Sequence, residues 1–188
     1  MRILGISGSL RPQSHNTKLL RNAGELLPAD VECEVWQDLK AVPPYDEQDD
    51  VEPAPAPVAA LNLAIAEADG ILFATPEYNS SVPGQLKNAL DWASRPPAKS
   101  PLRNKPVAVV GASTGAFGAV WAQAELRKVL AATGARAVDA EVAVGHADSR
   151  FDEDGRLVDD AFREELEETV DALVEAVGAR PLAGAVSA

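Results

Sequence analysis

The chain has 188 residues, of which 46% are hydrophobic and 24% are charged. These proportions are typical of a globular domain rather than a disordered chain, and the length fits one domain. The net charge of −12 argues against non-specific binding of nucleic acid. No apolar stretch approaches the roughly 18 residues that a membrane span requires, so neither nucleic acid nor a membrane is expected as a partner.

The only cysteine, Cys33, excludes an internal disulfide and a zinc site built from cysteines. The first residues lack the long apolar core of a signal peptide. From these two observations we expect a cytoplasmic protein.

Apolar runs alternate with helical patterns along the chain. The first run, Arg2–Ser7, is followed by a leucine-rich helical pattern over 16–27, with Asn16 or Thr17 as the N-cap. Residues 31–37 alternate apolar side chains with glutamates, which predicts a half-buried strand at a sheet edge. A long, acidic and proline-rich surface loop is expected to follow.

The second part of the chain repeats this alternation. Helices are predicted over 58–68, 85–94, 118–133 and 157–177, and strands over 70–75, 107–111 and 135–144. The first, third and fourth strands are unbroken apolar runs, as expected for parallel strands covered on both faces. The sequence therefore predicts an α/β fold, a doubly wound sheet of five parallel strands with helices on both faces, over residues 1–181. Residues 182–188 are predicted to form a flexible tail.

Ligands of such sheets bind beyond the carboxyl ends of the strands, where the strand order reverses. This rule selects the loops after the first, third and fourth strands, residues 8–15, 76–82 and 112–117. Two segments around these loops contain little acid: residues 1–24 have four basic residues and no acidic one, and residues 78–124 have five basic residues against Asp91 alone. In an acidic protein, this distribution favours an anion site.

The first loop contains several hydroxyls and Arg11 and leads into a helix. Free amides and the helix dipole at such a helix start suit a phosphate dianion. The loop matches neither a Walker motif nor a dinucleotide fingerprint, which favours a phosphomonoester held without magnesium. An ordinary strand-to-helix turn accounts for the Ser-Gly-Ser sequence equally well.

The other two loops are suited to a flat ligand. The second is stiffened by a proline at each end, so that its backbone would meet the edge of a flat heterocycle at little ordering cost, with Tyr78 nearby. The third would close over the opposite edge through amides that its glycines leave accessible.

Taken together, these segments resemble the NADPH-dependent FMN reductase family, which has a flavodoxin-like fold and quinone, chromate and azo reductases among its relatives. The resemblance is carried by GISGSLR from Gly5, TPEYN from Thr75, VPGQLKNALDW from Val82, STG from Ser113 and FDEDGRL from Phe151. It implies FMN as the cofactor and NADPH or NADH as the co-substrate.

The resemblance also implies the residues of the flavin site. Those expected to hold the FMN phosphate are Ser9, Arg11, Asn16 and Thr17. Those expected to line the isoalloxazine edge, largely through main chain, are Pro76, Glu77, Tyr78 and Asn79. Those expected to complete the site are Ser113, Thr114 and Gly115. No catalytic side chain and no metal are expected, because the flavin carries the chemistry. Where many members have an arginine, this chain has Trp121, either a packing residue or one that narrows the entry for the second substrate.

The implied reaction is ping-pong hydride transfer from NADPH to FMN and on to a small acceptor, such as a quinone, an azo dye, a nitroaromatic, free flavin or a metal oxyanion. A preference for NADPH over NADH is expected from basic residues near the proposed mouth, namely Arg11, Arg95, Lys99, Arg103 and Lys105. Family members are dimers or tetramers, so a homodimer or homotetramer is expected, with the helix over 85–94 at or near the subunit contact.

Two other functions are compatible with the residues. A flavodoxin-type electron carrier would use the acidic surface to dock a basic partner. A serine hydrolase would use Ser113, which lies in a GxSxG match, with Asp139 and His146 following in triad order. The residues after Ser113 predict a longer loop than a nucleophile elbow allows, which argues against the hydrolase.

Overall fold

Strands and helices alternate in the computed structural model, which describes residues 1–179. The strands are β1 (Arg2–Ser7), β2 (Glu32–Trp36), β3 (Gly70–Thr75), β4 (Pro106–Ala112), β5 (Arg136–Ala137) and β6 (Val142–Val144). The helices are α1 (His15–Leu26), α2 (Ala56–Glu67), α3 (Gly84–Ala93), α4 (Val120–Ala132) and α5 (Asp160–Gly178). The domain limit predicted at residue 181 and the tail predicted over 182–188 lie outside the described residues.

All strand pairs are parallel, and the sheet has the order β2–β1–β3–β4–β5, with β6 also pairing with β4. This is the flavodoxin-like, doubly wound order, which confirms the predicted fold class. The unbroken apolar strands β1, β3 and β4 occupy the centre, where helices cover both faces. The alternating strand β2 lies at one edge, as its pattern predicts.

The two faces of the sheet bury separate cores. Ile71 and Phe73 of β3 face one core, together with residues of α2, α3 and α4. Leu72 and Ala74 face the other core, which α1 and α5 cover. Burying each of the larger side chains contributes roughly 1.5–3 kcal/mol to the free energy of unfolding, so both faces of the central strands stabilise the fold.

The fifth strand, predicted as one run over 135–144, is divided into β5 and β6. Val107 of β4 pairs with Ala137, whereas Val110 pairs with Val142, so the edge strand has two more residues than β4 between these pairs. The sequence pattern gave no sign of this interruption.

Arg127 of α4 provides the physical reason for the break. Its Nη2 donates to the carbonyl oxygens of Val109 at 3.1 Å and Ala140 at 2.6 Å, and its Nη1 pairs with Glu141 at 3.0 Å. The guanidinium therefore donates to the Val109 carbonyl oxygen of β4, which an amide of an uninterrupted edge strand would otherwise have bound.

Helix α1 begins at His15, because Ser14 is its N-cap rather than Asn16 or Thr17. The Ser14 hydroxyl accepts a hydrogen bond from the Asn16 amide at 3.1 Å. This cap satisfies one of the unpaired amides at the helix start, and it places Asn16 and Thr17 inside the first turn.

Helix α5 begins at Asp160, three residues later than predicted. Leu157 is held in a bridge with Phe151, and the Asp159 carboxylate caps the helix by accepting from the Phe162 amide at 3.2 Å. The apolar residue at 157 therefore belongs to the preceding turn.

Candidate functional site

A cleft of about 270 Å³ lies at the carboxyl edge of the sheet, where three loops meet. Loop 1 (residues 8–14) follows β1, loop 2 (76–83) follows β3, and loop 3 (113–119) follows β4. The lining residues are Ser9, Arg11, Ser14, His15, Asn16, Pro76, Glu77, Tyr78, Ala112, Ser113 and Thr114. Of the residues predicted to hold FMN, all except Thr17, Asn79 and Gly115 line this cleft.

Buried hydroxyls shape loop 1. The Ser7 hydroxyl oxygen accepts from the Ser9 amide at 3.3 Å and from the Thr17 hydroxyl at 3.1 Å, and the Ser9 hydroxyl oxygen accepts from the Arg11 amide at 3.4 Å. Thr17 faces a separate hollow of about 100 Å³ on the β2 side of loop 1. It therefore contacts the loop from behind, while Ser9 and Arg11 border both spaces.

The first turn of α1 presents free donors to this edge. Ser14 takes the Asn16 amide, but the backbone N–H groups of His15 and Thr17 have no hydrogen-bond partner within residues 1–179. Free amides and the positive end of the helix dipole together favour an anion. Ser14 also lines the cleft, although the sequence analysis did not predict it. Its hydroxyl, just before the leucine-rich helical pattern, was the signal that could have identified this N-cap.

The Asn16 side chain joins the first turn of α1 to the end of β4. Its Nδ2 donates to the Ala112 carbonyl oxygen at 2.9 Å, and its Oδ1 accepts from the Ala112 amide at 3.0 Å. Both groups are buried, so the carboxamide pairs a strand end that would otherwise be unsatisfied. Asn16 therefore fixes the spacing of two loops across the cleft.

His15 also lines the cleft. Its ring stacks on Phe151 with 5.6 Å between centroids, and its buried Nδ1 has no hydrogen-bond partner among residues 1–179. Burial lowers the pKa of His15 below 6.5, and the positive charges of Lys18 and Arg11 lower it further. A polar atom of the ring is therefore uncommitted beside the start of α1.

Loop 2 is a tight turn anchored to α4. Tyr78 and Ser81 exchange backbone hydrogen bonds of 3.2 and 3.1 Å, and Asn79 and Ser80 between them both have positive φ. The Glu77 carboxylate accepts from the Ala122 amide at 3.0 Å, which caps the first turn of α4. Asn79 is exposed at the tip of this turn and does not line the cleft.

Loop 3 rests on β6 and the segment after it. The Ser113 amide donates to Val144 at 3.0 Å, and the Ser113 carbonyl accepts from Ala147 at 3.0 Å. A Cβ built on Gly118, whose φ is +56°, would overlap the backbone of Ala143. Only glycine therefore fits this close approach, which determines the path of the loop.

The arrangement of Ser113 is that of a binding loop and not of a hydrolase. Its hydroxyl oxygen accepts from the Gly115 amide at 3.1 Å, and within residues 1–179 it makes no hydrogen bond to His146. Strand β4 ends at Ala112 and α4 begins at Val120. The long loop expected from the sequence is present, whereas a nucleophile elbow requires the helix to follow the serine directly.

The donor set of the cleft fits FMN. Hydroxyls, helix-start amides and Arg11 face one end, as a phosphate requires. At the other end, the backbone of loops 2 and 3 offers polar groups to a planar ring. Gly8 keeps the two ends close: a Cβ there would approach Leu86 Cδ2 to 2.9 Å and Pro76 Cδ to 3.2 Å. Within the described residues, no group of three or more metal-ligating side chains could hold a metal ion.

The charge argument for NADPH was wrong for four of its five residues. Helix α3 runs away from the cleft, so Arg95, Lys99 and Arg103 follow its far end. Lys105 immediately precedes β4 and donates to the carbonyl oxygens of Ala66 and Ala68 near the end of α2. Of the five cations, Arg11 alone lines the cleft.

The fold and the cleft together define a flavodoxin-like protein with a site for a phosphorylated planar ligand. The model of the NADPH-dependent FMN reductase family matches residues 1–149. The chain is 42% identical to an NAD(P)H-dependent FMN reductase of Pseudomonas aeruginosa over 174 residues, which is 92% of this chain and 93% of that protein. It is 39% identical to a 2-hydroxy-1,4-benzoquinone reductase of a Burkholderia species over 172 residues, 91% of this chain and 93% of that one.

A solved structure extends this likeness. FerB, a flavoenzyme NAD(P)H:(acceptor) oxidoreductase from Paracoccus denitrificans, superimposes with a TM-score of 0.84 at 34% identity, covering 94% of this chain and 97% of its own. The chain belongs to the NADPH-dependent FMN reductase family. The family confirms the expected cofactor, FMN, and the expected co-substrate, NAD(P)H.

Proposed function

We propose that this chain is an FMN-dependent NAD(P)H oxidoreductase that reduces small acceptors, with quinones as the first class to test. The observation that carries the proposal is the three-loop cleft at the carboxyl edge, in which phosphate donors at one end adjoin backbone polar groups at the other. The benzoquinone reductase and FMN reductase relatives support the choice of acceptor and cofactor.

Each loop has a distinct role in this proposal. Ser9, Arg11 and the start of α1 hold the FMN phosphate, with Asn16 and Thr17 holding the loop in shape. The residues that border the isoalloxazine are Pro76, Glu77, Tyr78, Ser113 and Thr114, while Asn79 and Gly115 belong to the turns that hold them in place. Bound FMN supplies the two-electron chemistry of a ping-pong cycle, with NAD(P)H as the hydride donor and the quinone as the acceptor. The protein binds, orients and shields these groups without a protein nucleophile.

The oligomeric assembly and a cytoplasmic location are further proposals. We expect a homodimer or a homotetramer with α3 at or near the contact, which the family resemblance supports. Within residues 1–179, no helix is both long and apolar enough to cross a membrane. Light scattering of the purified protein would measure the subunit number, and a monomer at micromolar concentration would contradict the assembly.

The decisive test is an absorption spectrum of the protein with FMN under anaerobic conditions, before and after NADPH. We expect flavin bands that shift on binding and bleach with NADPH, followed by steady turnover with a soluble quinone. Bound flavin that NADPH leaves oxidised would favour an electron carrier, and no flavin binding would overturn the proposal.

A matched pair of variants tests the phosphate end. Arg11→Gln removes a charge-assisted contact and is expected to weaken FMN binding roughly ten-fold or more. Arg21→Gln removes an exposed cation from α1, away from the cleft, and should leave the dissociation constant unchanged. Equal effects of the two changes would mean that only long-range charge attracts the cofactor.

A further inference from the structure

Three aromatic side chains are exposed at the same edge of the molecule. The sequence contains four phenylalanines, three tryptophans and two tyrosines. Of these, Tyr78 is 52% exposed, Phe117 is 65% exposed and Trp121 is 49% exposed, while Phe73 and Trp92 are fully buried. We call Tyr78, Phe117 and Trp121 the aromatic rim. Exposed aromatic residues gathered at one place indicate a contact surface for a ligand or a partner.

The structure holds the outer part of the rim in a defined geometry. Phe117 and Trp121 pack edge to face, with 5.1 Å between ring centroids and an interplanar angle of 68°. Between them, Gly118 and Ala119 both have positive φ, at 56° and 65°. Ala119 is buried in a left-handed conformation that residues other than glycine rarely adopt. Such a backbone persists only where its surroundings enforce it, and it is typical of functional sites.

The rim is joined to the cleft by hydrogen bonds. Glu77 binds the amide of Ala122, next to Trp121, and the Ser81 hydroxyl donates to the Glu125 carboxylate at 2.5 Å. Loop 2, with Tyr78, therefore lies along the first turns of α4. Because Tyr78 also lines the cleft, the rim stands at the cleft's mouth and not on a remote surface.

We propose that Phe117 and Trp121 determine acceptor specificity, by forming an apolar wall for a flat, uncharged acceptor of the bicyclic quinone class. Ring contacts and apolar burial favour such an acceptor, whereas a hydrated anion gains neither. The carboxylates of Glu77 and Glu125 beside the wall also disfavour an anion. The inference rests on the proposed function, since it places the flavin in the cleft next to the rim.

The test compares two acceptors with the FMN-loaded enzyme. For Phe117→Ala and Trp121→Ala, kcat/KM is measured with 1,4-naphthoquinone and with ferricyanide at saturating NADPH. The kcat/KM for naphthoquinone, divided by the kcat/KM for ferricyanide, is expected to fall roughly three- to ten-fold in each variant. The cause would be a higher KM for the quinone. Trp121→Phe should retain most of the ratio. Leu63→Ala, an exposed apolar residue on α2, is the control and should leave the ratio unchanged.

Two results would overturn the inference. The first is an unchanged acceptor ratio in both alanine variants. The second is a fall in the ratio that occurs only together with a change of subunit number by light scattering, because the rim would then be a contact between copies of the chain. Failure of the proposed function is separate, since the unsubstituted protein would then not bind FMN or not bleach with NADPH.

Discussion

Two arginines at the amino end of the sheet and one at the carboxyl end differ in what their guanidinium groups bind. At the amino end, Arg2 pairs with Glu34 and Glu67, and Arg136 donates to backbone carbonyls, including one near the end of α5 at 3.2 Å. At the carboxyl end, the Arg11 guanidinium makes no hydrogen bond within residues 1–179. The difference teaches that a site is marked where an uncommitted cation adjoins other uncommitted donors, here the amides at the start of α1. A count of nearby charges along the sequence does not reveal it.

The largest effect is expected at a glycine of the carboxyl end. Gly118→Ala introduces a Cβ into the backbone of Ala143 at a positive φ, and should lower the free energy of unfolding by about 4 kcal/mol or more. Gly84→Ala is the matched control, because a Cβ at the start of α3 meets no atom within 4 Å. That change should be neutral or stabilise by up to about 1 kcal/mol. Urea unfolding measures both, and equal effects would contradict the close approach.

A smaller loss is expected where the first turn of α1 meets the end of β4. Asn16→Ala leaves the buried N–H and C=O of Ala112 without partners, and should reduce stability by about 2–3 kcal/mol and weaken FMN binding. Gln13→Ala, in the exposed part of loop 1, should change stability by less than about 0.5 kcal/mol. Lost FMN binding with full stability would instead assign Asn16 directly to the phosphate.

At the amino end, a cation should matter for folding alone. Lys105→Met removes the donor to the carbonyls near the end of α2 and should reduce stability by about 1 kcal/mol. The ratio of kcat/KM for NADPH over NADH should stay the same. A lower ratio would mean that Lys105 contributes to recognition of NADPH, and cations at the amino end would then not act on folding alone.

The smallest effect concerns pH. The folded chain holds the pKa of His15 below 6.5, because burial and nearby positive charges disfavour its protonation. The unfolded chain therefore binds this proton more tightly, so the stability of the FMN-free protein falls as pH drops through 6.5 towards the lower folded-state value. His15→Asn removes this component. The stability of this variant relative to the original chain should rise as the pH is lowered from about 8 to about 5. A difference that stays constant over this range would contradict the lowered pKa.

The sequence predicted the parts that depend on local patterns. Unbroken apolar runs identified the three central strands, and alternation identified the edge strand β2. The break in the fifth strand was missed because it depends on Arg127, whose guanidinium reaches two backbone segments from another element. The positions of Arg95, Lys99 and Arg103 were wrong because α3 carries the chain across the sheet. Most predicted site residues share one cleft, because parallel strands end at the same edge.

The divided fifth strand has a consequence for how the protein behaves among its own copies. An exposed strand edge offers unpaired amides and carbonyls on which another chain can add. Here β5 has two residues and β6 has three, and the Arg127 guanidinium separates them. At the opposite edge, β2 carries exposed glutamates at 32 and 34. Neither border offers a long, uncharged template, so the sheet resists aggregation through strand addition.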